Sequence, residues 1–344
     1  MKRNLFNFIV VVVLLIVVAV ACNREKPVTG ITLDQSTIEL VETETTLLTA
    51  TVTPSDATNR LVNWTSSNPE VVTVVRGSLT AMAIGTATIT VTTNDGGFTA
   101  KCIVTVAPLP DPIEPDMIRV EGGTFIMGCT DNECENNEKP TLTVKLDSYY
   151  IARYPVTQRE WVAIMRNNPS HFKGEYLPVE NMSWDEVTDF LHGLNLAFPN
   201  KNYRLATEAE WEYAARGGNE SKGYKYSGSD DINAVAWYSA NSNNRTQIVG
   251  TKMPNELGIF DMSGNVWEWC SDFFGSYADT ARTGYDSITG IYINPTGPRV
   301  GIQHVARGGA WIDFSQSCRI SARYSPIPPI MPNHLGIRLA MSVE

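Results

Sequence analysis

Histidine is scarce. The 344 residues include four, His171, His192, His304 and His334, and their spacing fits no metal-ligand pattern. They read as surface or packing residues. Basic charge is also short, with 27 Lys and Arg against 37 Asp and Glu. That balance lacks the basic footprint of a nucleic-acid-binding chain, so no nucleic-acid partner is expected. The apolar run over residues 8–20 is too short for a comfortable membrane span. Aromatic and apolar content are ordinary for a globular chain, and the length suggests two or three domains.

Lys2 and Arg3 precede that apolar run, and small residues follow it, ending in Ala19-Val20-Ala21-Cys22. This is the layout of an export signal. It resembles a bacterial lipoprotein box, which implies a signal over residues 1–21, lipidation at Cys22 and a tether over 22–27. Asn23 is not the acidic residue that commonly retains lipoproteins in the inner membrane. The resemblance therefore implies an outer-membrane or cell-surface destination, with lipid chains as the membrane contact.

Residues 28–107 read as an all-β module. Ile31, Leu33, Ile38 and Leu40 alternate. Further strands are predicted at 47–53, 62–66, 71–75, 86–92 and 99–106, separated by Pro54-Ser55-Asp56, Asn68-Pro69 and Asn94-Asp95-Gly96-Gly97. Short β-branched strands at this spacing predict a sandwich. The segments VTGITLD, VNWTSSNPEVVTV and AIGTATITV resemble the bacterial immunoglobulin-like group 2 domain. Trp64 is expected between the two sheets and Cys102 is expected to be buried; nothing marks a ligand site, and a spacer role is expected. Residues 108–115, PLPDPIEP, are a proline-rich linker.

The head, 116–344, holds three helix starts with a mechanism. Thr157 can cap a helix carrying Trp161, Ile164 and Met165 inward. Ser183-x-x-Glu186 and Thr207-x-x-Glu210 are capping boxes. The densest stretch is 257–272, LGIFDMSGNVWEWCSD. If it is a strand, Trp267 and Trp269 share a face and Glu268 points the other way. Asp261 and Glu268 flank Gly264, an arrangement in which carboxylates can converge on a hard cation.

GGTFIMG, YPVTQREW, PVENMSWDE, YRLATEAEWEYAARGG, GNVWEW, ARGGAW and LGIRLA occur in that order. They resemble the formylglycine-generating enzyme, or sulfatase-modifying factor, family over essentially the whole head. The resemblance implies an irregular α+β domain of the C-type-lectin-like fold. It also implies a structural calcium held by Asp261, Glu268 and the carbonyls of Gly264 and Val266. Setting Cys22 aside leaves five cysteines. Cys129 and Cys134 bracket CTDNEC and could pair. Cys270 and Cys318 each follow a signature segment and could also pair; sequence does not fix the connectivity.

Catalysis in the family oxidises a substrate cysteine with copper and oxygen, using two cysteines five apart after the ARGGAW-type segment and a serine beside them. Soft thiolates suit Cu(I). Here Ala310 stands at the serine position, Asp313 at the first cysteine and Cys318 at the second. No copper is therefore expected. Relatives of this fold include variable ligand-binding proteins. The corresponding surface here is Ile312, Asp313, Phe314, Tyr324, Ser325, Asn333, His334 and Leu335. The reading that results is a lipid-anchored surface protein whose non-catalytic head binds an unknown protein or glycan. The alternatives are a retained oxidase and a structural part of an envelope machine.

Overall fold

The computed structural model describes residues 25–108, 111–130, 133–279, 283–326 and 332–343. Cys22 lies outside them. The chain separates into two compact units, 1–109 and 110–344.

The first unit is a β-sandwich. Strands Thr37–Val41, Thr99–Ala107, Gly85–Thr93 and Val62–Ser66 form one sheet in that spatial order. Thr45–Leu47, Ser78–Ala81 and Val72–Val75 form a three-stranded sheet, and Gly30–Leu33 pairs with Ala50–Thr53. Alternation does the sorting: along Thr99–Ala107 the residues Cys102, Val104 and Val106 are buried, with Ala100 partly buried in the same phase. They meet Ile38, Leu40, Leu79 and Ile89 in one apolar cluster. Trp64 packs against this cluster and a second one, so it bridges the core as expected, although it is only half-buried. The strand expected at 47–53 is broken. Leu48 turns into the core while its N–H donates to the Gly77 carbonyl, and the Asp34 carboxylate accepts from the Thr49 N–H. The strand Ser78–Ala81 is not among those predicted from the sequence.

The head is an irregular α+β domain. Its three four-stranded sheets run, in spatial order, Met117–Val120, Tyr149–Ala152, Leu339–Ser342, Arg204–Leu205; then Gly123–Met127, Leu142–Leu146, Ile291–Ile293, Tyr285–Asp286; then Arg323–Tyr324, His304–Arg307, Trp267–Phe273, Leu335–Ile337. Three helices of eight residues or more pack among them: α1, Gln158–Met165; α2, Trp184–Ala197; α3, Glu208–Ala215; a single turn, Ile232–Val235, is a fourth among the described residues. Each of α1, α2 and α3 starts with a complete capping box, Thr157/Glu160, Ser183/Glu186 and Thr207/Glu210. The reciprocal bonds satisfy amides that would otherwise be orphaned at the helix start. Gly217, in the left-handed region at φ +89°, takes the chain out of α3.

Helix α3 is not amphipathic, because all eight of its residues are buried. Its acids are matched by arginines, Glu210 by Arg204 just upstream and Glu208 and Glu212 by partners that include two from the C-terminal segments. Arg323 holds Glu208 through two bonds of 2.5 and 2.9 Å. Arg307 and Arg216 both meet Glu212. Beside the helix, Arg319 grips Glu138 at 2.6 and 2.8 Å. The Glu138, Glu208, Glu212, Arg307 and Arg323 side chains are wholly buried and Arg319's nearly so. Burial of such groups is tolerated only when they are paired.

Glu180 lacks that compensation. Its Oε1 accepts from the Phe172 N–H at 2.8 Å, while Oε2 is buried with no hydrogen-bond partner. Burial pushes its pKa up to about 7. The folded value lies above the unfolded one, so the protonated form is favoured by folding. Stability from this group is complete below pH 4–5 and is lost as pH rises through about 7. The shift corresponds to about 3 kcal/mol. Melting temperature of the head should therefore fall between pH 5 and 8, and Glu180→Gln should flatten that slope. Parallel slopes for wild type and variant would refute the assignment.

Candidate functional site

The site is built on the turn before strand Trp267–Phe273. Asp261, Gly264 and Asn265 all take positive φ, +56°, +81° and +66°. Asp and Asn tolerate this region better than most side chains, and glycine does so freely. The turn is tied to two neighbours. Asn265 Oδ1 accepts from the Gln247 N–H and its Nδ2 donates to the Gln247 carbonyl. The Gly264 N–H donates to Gly308, and Asn265 O accepts from the Trp311 N–H. The turn thus fixes both Trp267 and the 308–313 segment.

As expected, Trp267 and Trp269 lie in one apolar cluster, whereas Glu268 points the other way. There its Oε1 accepts from Arg338 at 2.7 Å, and its Oε2 accepts from Arg338 at 2.8 Å and from Trp211 Nε1 at 2.7 Å. These bonds bear on the expected calcium set. The Glu268 charge is neutralised by Arg338 and both its oxygens are engaged, so two free carboxylates do not converge here. Asp261 is different: Oδ2 accepts from the Gly250 N–H at 2.6 Å and Oδ1 is buried without a partner. Burial pushes its pKa up to about 6. The residues present offer one anionic ligand and do not fit a calcium ion held by the expected set.

Beyond the turn, Asp313 closes a tight loop. Its Oδ2 accepts from the Ala310 N–H at 3.0 Å and from Trp267 Nε1 at 2.7 Å. Trp267, Asp313, Ser317, Tyr324, His334 and Glu135 line a cavity of about 310 Å³. The rings of Trp267 and Tyr324 lie 5.2 Å apart, and those of Tyr324 and His334 6.3 Å apart. Burial raises the Asp313 pKa, and burial also lowers that of His334 despite the nearby Asp313. Arg323 reaches the wall, but its guanidinium is spent on Glu208 and on the carbonyls of Asn137 and Gly275.

The fold brings some of the expected surface residues together and removes others. Ile312 and Phe314 are exposed, Phe314 by 79%. Asp313, Tyr324 and His334 meet at the cavity. Tyr324 is half-buried against Trp267, not freely exposed. The Ser325 hydroxyl donates to Gln303 and is half-buried. The Asn333 carbonyl accepts from Trp311 Nε1. Leu335 is fully buried in the strand Leu335–Ile337 and belongs to no surface. Trp267, Ser317 and Glu135 line the cavity without having been assigned to it. For Trp267 the signal was available, since a buried indole N–H needs an acceptor.

Cys129 and Cys134 are disulfide-bonded. Cys270 and Cys318 are not; both are free and buried, which corrects that pairing. They sit in different apolar clusters, Cys270 beside Trp211 and Ile259, Cys318 beside Tyr226 and Val235. Burial pushes both thiols up. A buried Cys318 and a carboxylate at 313 do not fit Cu(I), which prefers paired thiolates.

The architecture is thus a β-sandwich followed by an α+β head with a small polar and aromatic cavity under its C-terminal segments. The chain belongs to the family of the sulfatase-modifying factor enzyme 1-like domain, which matches residues 105–343. Residues 27–104 match the bacterial Ig-like domain (group 2). The chain is 31% identical over 258 residues to the chaperone protein LppX of Paenibacillus barcinonensis, covering 61% of this chain and 83% of that one. It is 26% identical over 307 residues to the formylglycine-generating enzyme of Thermomonospora curvata, covering 67% of this chain and 95% of the enzyme. Among solved structures, the Treponema denticola variable protein 1 superposes with a TM-score of 0.58 at 29% identity, covering 66% of this chain and 95% of that one. No helix among the described residues is long and apolar enough to cross a membrane.

Proposed function

We propose that this chain is a lipoprotein, held at the bacterial outer membrane or cell surface through Cys22, whose head binds a ligand and does not catalyse. The observation that carries the reading is Asp313. Its carboxylate occupies the place where the family keeps a cysteine, and the Trp267 indole and the Ala310 amide hold it there. The remaining thiol, Cys318, is buried and unpaired. A site must keep its chemical roles to keep its activity. The relatives named as a chaperone protein and a variable protein support a binding role; the formylglycine-generating enzyme relative supports the oxidase alternative.

The purified chain, supplied with copper and oxygen, should leave a Cys-x-Pro-x-Arg peptide unchanged in mass. Conversion to the aldehyde, seen as mass loss, would sink the reading. Phe314→Ala on the same head should change the melting temperature little, because the ring is exposed and surface substitutions usually cost less than about 0.5 kcal/mol.

A further inference from the structure

We propose that the cavity beneath Tyr324 is a receptor for a primary ammonium group on an alkyl chain, as a lysine side chain carries, with Asp313 as its counter-ion and Trp267 and Tyr324 as its walls. This deepens the binding reading above and rests on it.

Charge pairing elsewhere in the head sets the contrast. Glu138, Glu208, Glu212 and Glu268 are buried, and each is met by an arginine. Asp313 is half-buried, and no ion pair to it is found among the described residues. Its two hydrogen-bond donors, an indole and a backbone amide, are both neutral. Two other buried acids, Asp261 and Glu180, have no salt bridge among the described residues either, but neither lines this cavity. Asp313 faces a space of about 310 Å³, at the small end of ligand pockets.

The other walls agree in sign. Glu135 adds a second carboxylate at the exposed rim. His334 is held below its ordinary range by burial, which disfavours its charged form. The Arg323 guanidinium is turned to Glu208 and to the carbonyls of Asn137 and Gly275. A cation entering here therefore meets two carboxylates, and among the described residues of the wall the one arginine, Arg323, is held by Glu208. Tyr324 and Trp267 offer ring surface, and aromatic faces attract ammonium groups once water is displaced. Geometry narrows the class. Oδ2 already accepts two hydrogen bonds, and no described residue bonds Oδ1. One free oxygen suits a compact ammonium better than the two-pronged fork of a guanidinium. The alkyl stem would lie along the aromatic walls.

The test is titration of the full chain by calorimetry with N-acetyl-lysine methylamide, N-acetyl-arginine methylamide and the neutral N-acetyl-norleucine methylamide. The lysine probe should bind in the millimolar range, at least tenfold tighter than norleucine and tighter than arginine. Asp313→Asn should weaken the lysine probe at least tenfold, with the melting temperature checked in parallel; Glu135→Gln should weaken it two- to threefold. The preference for lysine over norleucine is read on the wild type, so the test stands even if Asp313→Asn fails to fold. Equal binding of norleucine, equal or tighter binding of arginine, or no saturation by lysine at tens of millimolar would overturn the ammonium assignment. Those outcomes leave the non-catalytic reading intact, whereas peptide conversion would remove that reading whatever the probes do.

Discussion

Glu268→Gln should destabilise the head by about 3–5 kcal/mol, the usual result of removing one partner of a buried ion pair. The Arg338 guanidinium would lose its counter-charge while staying fully buried. Its other bonds, to the carbonyls of Ala152 and Phe260, would hold it in place and prevent escape to water. Trp211 Nε1 would retain an acceptor only if the new amide kept its oxygen toward the indole. Chemical denaturation, run once with calcium and once with chelator, measures the loss and its cause. The ion-pair account requires the same loss in both. A loss seen only with calcium present would return Glu268 to the role of metal ligand. Replacing both partners by apolar residues of similar volume should recover most of the stability, because the cost lies in the uncompensated charge.

Gly264→Ala should be of comparable size for a different reason. The residue sits at φ +81°, where side chains are strained. A Cβ there would also lie 2.3 Å from the Trp237 carbonyl oxygen and 2.9 Å from its nitrogen. The obstruction is backbone, so the turn itself must shift, and with it the Asn265 bonds to Gln247 and Trp311. Gly223→Ala is the control, since Gly223 has φ +74° but no atom within 4 Å of its Cβ position. The control should cost about 1 kcal/mol, the strain alone, and Gly264→Ala about 3 kcal/mol or more. Equal melting temperatures for the two variants would show that the contact with Trp237 is relieved at no cost, and that the turn does not organise the site.

Local rules in the sequence determined a good part of this protein. The three capping boxes form at Thr157, Ser183 and Thr207 because they use atoms three residues apart and need nothing distant. Alternation in residues 99–107 set which face of the sandwich strand is inward, and it set Trp267 and Trp269 against Glu268 in the head. Cys129 and Cys134 were legible as a pair because a short loop keeps them near in any fold. The ordered motifs of the head identified its family before any contact was known, since together they span the domain.

Tertiary structure alone decided the rest. Glu208 and Glu212 look like the solvated face of a helix start, yet arginines roughly a hundred residues away in sequence bury them. Glu268 looks like a cation ligand until Arg338, between the strands Leu335–Ile337 and Leu339–Ser342, pairs with it. Cys270 and Cys318 look like partners by their places beside two motifs, but the strand and the following turn send them into separate clusters. Leu335 continues an exposed sequence stretch and is buried because it pairs with Trp267 in a parallel ladder. Asp313, Tyr324 and His334 become one cavity only when the 308–313 turn, the Arg323–Tyr324 strand and the segment before Leu335 converge on Trp267. Each of these outcomes turns on which distant charge or backbone arrives, because burial sets whether a carboxylate is solvated, paired or left to find a ligand.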